Sequence, residues 1–277
     1  MDRSLERHVR EYANTDGRVV VLTGAGISAE SGIPTFRGQE GYWKIGSRNY
    51  QPQEMATFRA FREMPDEVWA WYLYRRSICR AAAPNAAHTA LVRMEHRLGE
   101  RFQLITQNVD GLHLRAGQSA ERTWQIHGDI ESIRCAKECD ATLHPMPVEI
   151  GDQFGKTDRV DDRLRSLLVC PSCGGGARPH VLWFDEMYDE ARYRFESSTN
   201  AIAGADALVV IGTSGATTLP TLLLQASVEA GIALLVVDPG DNVFTGAADS
   251  APRGLHACGS ATELVPRIAA ELGAEMA

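Results

Sequence analysis

The sequence predicts an α/β fold, a doubly wound parallel sheet accompanied by a smaller cysteine-bearing module. Compact apolar runs recur at 18–24 (RVVVLTG), 102–106 (FQLIT), 207–212 (ALVVIG) and 232–238 (IALLVVD), each short enough to be a strand buried on both faces. Helical stretches separate them, and that alternation is the pattern of a sheet covered by helices on both sides. Four of the six cysteines fall into two close pairs inside 130–180, a region where the alternation fails.

Residues 4–13 read as a short amphipathic helix leading into the first strand. Gly24, Gly26 and Ala29 then match G-x-G-x-x-G/A directly after that strand, a spacing that permits a tight turn and lets backbone N–H groups approach a pyrophosphate. Glycine turns also serve packing alone, and both readings stand at this point. Gly32, Pro34 and Gly38 cut the following helix short, and no acidic residue closes a second strand about 20 positions on, which argues against a dehydrogenase. Residues 38–65 read as a long loop with a short helix. Helices follow at 66–80 and 85–98, with Asp66 and Asn85 as N-caps.

The strand at 102–106 leads into Gln107, Asn108 and Asp110, at the carboxyl end where open α/β sheets bind ligands, although N-V-D-G is also a good turn sequence. In the cysteine region, ESIRC opens and PHVLWF closes a stretch that holds GDQFGKTDRVDD and GGG. Helices at 187–203 and 219–230 complete the alternation.

A chain of 277 residues with 44% hydrophobic content suits one large domain or a large one with a smaller partner. Its formal net charge of −8, without a block of five basic residues, argues against nucleic acid or a membrane surface as the main partner. No run approaches the roughly 18 uninterrupted apolar residues of a membrane span. The N-terminus lacks signal-peptide character, so a cytoplasmic location is expected. In a reducing cytosol, Cys135 with Cys139 and Cys170 with Cys173 suggest metal before disulfide. Four thiolates suit a tetrahedral structural zinc with no position open for water, against the alternative of unliganded or redox-active thiols. The isolated Cys79 and Cys258 read as small buried hydrophobes.

The stretch GAGISAESGIPTFRG at 24–38, followed by TQNVDGLH at 106–113, IHGD at 126–129 and GTS at 212–214, resembles the sirtuin family of NAD-dependent protein lysine deacylases. The motifs keep the family's order and span roughly 18–265. The resemblance implies a Rossmann-like NAD-binding domain from 1–129 and 181–277, with a helical insertion at about 45–80, and a zinc-binding module at 130–180. It implies NAD as cofactor, one structural zinc, acyl-lysine proteins or peptides as partners, and nicotinamide and O-acyl-ADP-ribose as products. His127 matches the catalytic histidine, a general base whose ordinary pKa of about 6.5 suits removal of a hydroxyl proton. Asn108 and Asp110 match residues that hold the ribose and the nicotinamide carboxamide, with Gln107 beside them.

Gly24, Ala25, Gly26, Ser28 and Ala29 match the phosphate-contacting turn, and Gly212, Thr213 and Ser214 match the second phosphate and ribose contact. Phe36 offers an apolar wall and Arg37 a cation for phosphate or ribose oxygens. At the adenosine end the resemblance points to Asp238 and Ala261, although many sirtuins continue toward an asparagine where this chain has VVDPGDN. Asp238 either accepts from ribose hydroxyls or caps a turn.

Tyr72 and Arg75 lie one helical turn apart, and a phenol beside a guanidinium can bind a carboxylate. Among sirtuins, Tyr-x-x-Arg here resembles the class that removes succinyl, malonyl or glutaryl groups, as do the neighbouring MATF and GYW; the plain alternative is a surface arginine with a packing tyrosine. The stretch PHVLWFDE at 179–186 occupies the place where sirtuins lay a substrate strand, making Val181, Trp183 and Phe184 substrate-binding candidates. Most family members carry glycine where this chain has Asp185, a carboxylate expected to narrow the cleft or favour basic flanking residues. Two rival functions stay open: ADP-ribosyl transfer to protein, and a non-catalytic NAD-binding module.

Overall fold

The computed structural model describes residues 3–13, 15–35, 43–45, 48–215 and 217–274. The chain runs through α1 (Arg3–Ala13), β1 (Arg18–Thr23), the single turn α2 (Gly26–Ala29), a hairpin of β2 (Trp43–Ile45) and β3 (Arg48–Tyr50), then α3 (Pro52–Met55), α4 (Phe58–Glu63), α5 (Pro65–Ala81) and α6 (Ala86–Leu98). Next come β4 (Phe102–Thr106), α7 (Leu112–Ala116), β5 (Thr123–Gln125), β6 (Gly128–Cys135), β7 (His144–Pro145), α8 (Asp162–Leu167) and β8 (Ala177–Val181). The remaining elements are α9 (Glu190–Tyr193), α10 (Phe195–Ala203), β9 (Ala205–Ile211), α11 (Thr218–Ala230), β10 (Ala233–Val237), α12 (Val243–Ser250), β11 (Gly254–Ala257) and α13 (Ala261–Glu271). None of the described helices is long and apolar enough to cross a membrane.

Six parallel strands form the main sheet in the order β11-β10-β9-β1-β4-β5. Alternation along each strand explains why both faces are covered. Val19, Val21, Val209 and Leu235 point to the layer of α1, α6 and α13, where Val9, Leu91 and Ile268 meet them. Val20, Leu22, Val210 and Val236 point to α10, α11 and α12, against Ile202, Leu223 and Phe244. All eight strand residues are at most 1% exposed, so each contributes roughly 1.5–3 kcal/mol of transfer free energy. The chain leaves β1 toward β4 on one side and later returns to β9 on the other, creating a crevice at the carboxyl ends of β1 and β9.

A second core joins α3, α4 and α5 to the three-stranded antiparallel sheet β7-β6-β8 through Met55, Phe61, Trp69, Ile133, Met146 and Trp183. The Trp69 indole donates to the Ala177 carbonyl at 3.2 Å, and the buried Arg76 pairs with Glu131 at 3.0 Å. Helical segment and cysteine-bearing sheet therefore share one apolar interior.

Several elements differ from the sequence expectation. A hairpin and two short helices occupy described parts of 43–63, where one short helix in a loop was expected. Helix α5 begins at Pro65, whose fixed φ suits a first turn, so Met64 holds the N-cap position and Asp66 instead pairs with Arg165 at 2.7 Å. Asn85 does cap α6, accepting from the Ala87 and His88 N–H groups. The single helix expected at 187–203 is split at Arg194, which takes a left-handed φ of 55°. Cys79 is buried as expected, whereas Cys258 is exposed.

Candidate active site

The turns after β1 and β9 are stitched together. Gly24 N–H donates to the Ile211 carbonyl at 3.0 Å and Gly26 N–H to the Gly212 carbonyl at 2.8 Å. A Cβ on Gly24 would lie 2.6 Å from the Thr213 Cβ, and one on Gly26 would lie 2.6 Å from the Gly212 Cα. Close backbone approach is thus a packing reason for both glycines, standing beside their fitness for an anion. Ala25 precedes α2 and Ala29 ends it, after which Gly32 turns the chain at φ +86°.

Beneath this turn lies a buried polar cluster. The Asn108 amide donates to the Gly24 carbonyl and to Ser28 Oγ, both at 3.1 Å, and Ser28 in turn donates to Asp110 Oδ2 at 2.7 Å. Ser28, expected at the phosphate turn, is 1% exposed and its hydroxyl is turned toward Asp110. Burial raises the Asp110 pKa, against hydrogen bonds from Leu112 and Ser28 and the charges of Arg115 and Arg75. His88 and His113 adjoin the cluster with ring centroids 4.8 Å apart. His88 Nδ1 lies 3.3 Å from the Asn85 backbone nitrogen and 3.0 Å from its Oδ1, while Nε2 faces Ser28 Oγ at 3.5 Å. His113 Nε2 meets Thr23 Oγ1 at 3.0 Å. Burial lowers the His88 pKa to about 4 and that of His113 well below the ordinary value.

His127 lies between β5 and β6 on the same side. Its Nδ1 is 3.0 Å from the Gln107 carbonyl oxygen, and its Nε2 is 2.7 Å from the Tyr188 hydroxyl. Burial lowers its pKa to about 4, opposed by the Gln107 carbonyl. The Gln107 side chain donates to Thr213 Oγ1 at 2.8 Å and accepts from Thr217 at 3.2 Å, linking the end of β4 to the loop after β9.

Farther along the crevice, Ser214 is exposed and Ala261 opens α13. Asp238 follows β10 and accepts the Gly240 N–H at 3.0 Å, so it caps a turn. Phe36 and Arg37 lie outside the described residues. On the other side, Tyr72 is buried and its hydroxyl accepts the Trp183 indole N–H at 2.8 Å. Arg75 stands 5.3 Å from the Trp71 ring, and its charge acts on both Tyr72 and Asp110. Val181 pairs with Gly128, and the Leu182 N–H donates to the His127 carbonyl, so this segment borders His127. Phe184 is exposed. Trp183 is not an open lining residue: it is 1% exposed, with the Arg178 guanidinium 3.4 Å from its ring centroid and Phe61 at 5.2 Å.

The sulfurs of Cys135, Cys139, Cys170 and Cys173 all lie within 4.8 Å of one another, with 3.7 Å separating Cys135 from Cys173 and Cys139 from Cys170. A tetrahedron of bonds of about 2.3 Å has edges of about 3.8 Å, so the four fit one structural zinc.

The Sir2 family model matches residues 24–218. The chain belongs to the Sir2 family. A relative from Leptospira interrogans named NAD-dependent protein deacylase is 35% identical over 271 residues, covering 97% of this Sir2 chain and 98% of the relative. A mutant Sir2 homologue bound to 2′-O-acetyl-ADP-ribose superposes with a TM-score of 0.78 at 31% identity, covering 99% of this chain and 97% of the other. A Sir2 homologue in complex with NAD gives 0.76 at 31% identity, with coverage of 99% and 94%.

Sequence reasoning missed two residues of the Sir2 crevice. His88 follows the Asn85 cap within PNAAH, and histidine three places after an asparagine cap is itself a signal, because its side chain can reach back to the cap's N–H. Tyr188, in MYDE, carries no local signal, because the histidine it touches is 61 positions away.

Proposed function

We propose that this Sir2 chain is an NAD-dependent protein lysine deacylase that removes acetyl groups, and succinyl or malonyl groups as well, giving nicotinamide and O-acyl-ADP-ribose. The observation that carries the reading is His127, a neutral, tautomer-fixed imidazole held by the Gln107 carbonyl just beyond the carboxyl end of β4. When bound, NAD supplies a ribose carbon from which nicotinamide departs, leaving that carbon open to the acyl oxygen. His127 takes the proton of a ribose hydroxyl through Nε2, since Nδ1 is committed to Gln107. Asn108 and Asp110 hold the nicotinamide end, with Ser28 orienting Asp110. The Ala25 N–H in the Gly24–Ala29 turn, whose other early N–H groups are spent within the fold, and the Thr213 and Ser214 stretch after β9 hold the diphosphate, and Asp238 and Ala261 border the adenosine. Burial of Ser28, Asn108 and Asp110 supports exclusion of water from the breaking bond.

The wider acyl range rests on Tyr72 and Arg75. The Tyr72 oxygen accepts from Trp183, which leaves its proton to donate to an acyl carboxylate, and Arg75 supplies the countercharge. That the Arg75 charge reaches Asp110 supports its facing the cleft.

The test is to mix the protein with NAD and matched acylated and unacylated peptides, following nicotinamide and peptide mass. Nicotinamide released in step with acyl loss is the expected result. Nicotinamide release with ADP-ribose added to the unacylated peptide would favour a transferase instead.

A further inference from the structure

Tyr188 occupies the hydrogen-bonding position that the base needs free. The Gln107 carbonyl can only accept, so His127 Nδ1 carries the proton and Nε2 the lone pair. Against that lone pair stands the Tyr188 hydroxyl at 2.7 Å, which must therefore donate. We propose that Tyr188 is a positioning residue that holds His127 in this tautomer and plugs its lone pair until the ribose of NAD displaces the phenol. The inference rests on His127 being the base of the deacylation proposed above.

A phenol that stayed in place would have to relay the proton instead, accepting from the ribose hydroxyl while donating to Nε2. Its surroundings disfavour that role. Thr217 and the Leu219 N–H, at the start of α11, act on the Tyr188 oxygen and compete with a ribose hydroxyl for it. The ring packs at 6.2 Å from Phe195 and 6.4 Å from Tyr193, so its body is held by apolar contact while its hydroxyl alone reaches the site. Two consequences follow from a plug. Without NAD the imidazole has no lone pair to offer water, and NAD binding must break one hydrogen bond that a plain crevice would not contain.

Tyr188→Phe tests this, since it keeps the ring and removes only the hydroxyl. The expected result is NAD and ADP-ribose bound about threefold to tenfold more tightly by calorimetry, with KM for NAD falling in parallel while kcat holds within about twofold. A kcat lowered about tenfold or more at unchanged affinity would mean that Tyr188 transfers the proton, and would overturn the plug. Unchanged affinity with unchanged kcat would make Tyr188 a bystander, and weaker affinity would make it a direct NAD contact; both overturn it.

Should the variant fold poorly, the wild-type protein answers the same question through the ring nitrogen resonances of His127. Addition of ADP-ribose shifts Nε2 if the phenol is displaced, and an unmoved Nε2 contradicts displacement. Failure of the parent reading is separable, because a His127→Ala protein that still deacylates would remove His127 as the base whatever Tyr188→Phe does to affinity.

Discussion

The carboxylate of Asp185 accepts the backbone N–H of Phe58 at 2.6 Å, and that of Arg59 at 3.1 Å. It therefore clasps the first turn of α4, whose Thr57 N-cap accepts the Ala60 N–H at 3.0 Å. Phe58 and Phe61 on that helix pack beside Trp183, so the clasp holds one wall of the second core. A carboxylate engaged in this way anchors a helix, a structural role beside the expectation that it narrows the cleft or favours basic flanking residues.

Replacing Asp185 with glycine is expected to lower the melting temperature by a few degrees, on the order of one lost cap in a chain of this size. Relative rates on peptides with basic and acidic flanks should stay together. Unchanged melting with a changed charge preference would favour the recognition role instead.

Acid sensitivity follows from the buried histidines. Burial lowers the pKa of His88, His127 and His180 to about 4 and that of His113 well below its ordinary value, against an unfolded value near 6.5. The unfolded chain then binds protons first as pH falls, so this stability is full above about pH 6.5 and is lost toward about pH 4. Asp110 and Asp129, whose pKa values burial raises, act in the opposite sense as they protonate, and two carboxyls offset only part of four histidines. Denaturant midpoints should fall steadily between about pH 7 and about pH 5. Midpoints constant across that interval would contradict the buried neutral state.

Arg75→Met should reduce desuccinylation about tenfold to a hundredfold while leaving deacetylation within a few-fold, as expected for losing a charged hydrogen-bond partner of one substrate only. Tyr72→Phe is a less clean probe, because it also strips the Trp183 indole of its acceptor. Kinetics on matched acetyl and succinyl peptides decide the matter, and equal losses on both would return the pair to packing.

Zinc removal should reach well beyond the cysteines. Their sheet shares its apolar interior with α3 to α5, so a chelator, or Cys173→Ser, is expected to expose Trp69 and Trp183 as well as to release one zinc per chain. Metal analysis and tryptophan fluorescence provide the check. A protein that carries no zinc and melts unchanged in chelator would contradict it.

Legibility in the sequence followed burial. Strands β1, β4, β9 and β10 are covered on both faces and so read as unbroken apolar runs, whereas β5 and β11 are the sheet's edge strands, with only three and four residues and mostly half-exposed side chains. The split at Arg194 was hidden because a left-handed arginine has no composition signal. At the site, contiguous motifs delivered His127, Asn108, Asp110 and the cysteines to one crevice and one cluster. The partners that define their state come from distant positions, Tyr188 on His127, His88 beside Ser28 and Asp185 on Phe58, and no local spacing encodes those contacts.

The central claim is that His127 acts as a base on NAD during acyl removal, and the most direct measurement compares wild type with His127→Ala on one acetyl-lysine peptide, with and without NAD. The account predicts acyl loss only with NAD, matched by nicotinamide and O-acyl-ADP-ribose, and slowed by about a hundredfold or more in the variant. NAD-independent acyl loss, or a variant as fast as wild type, would contradict it.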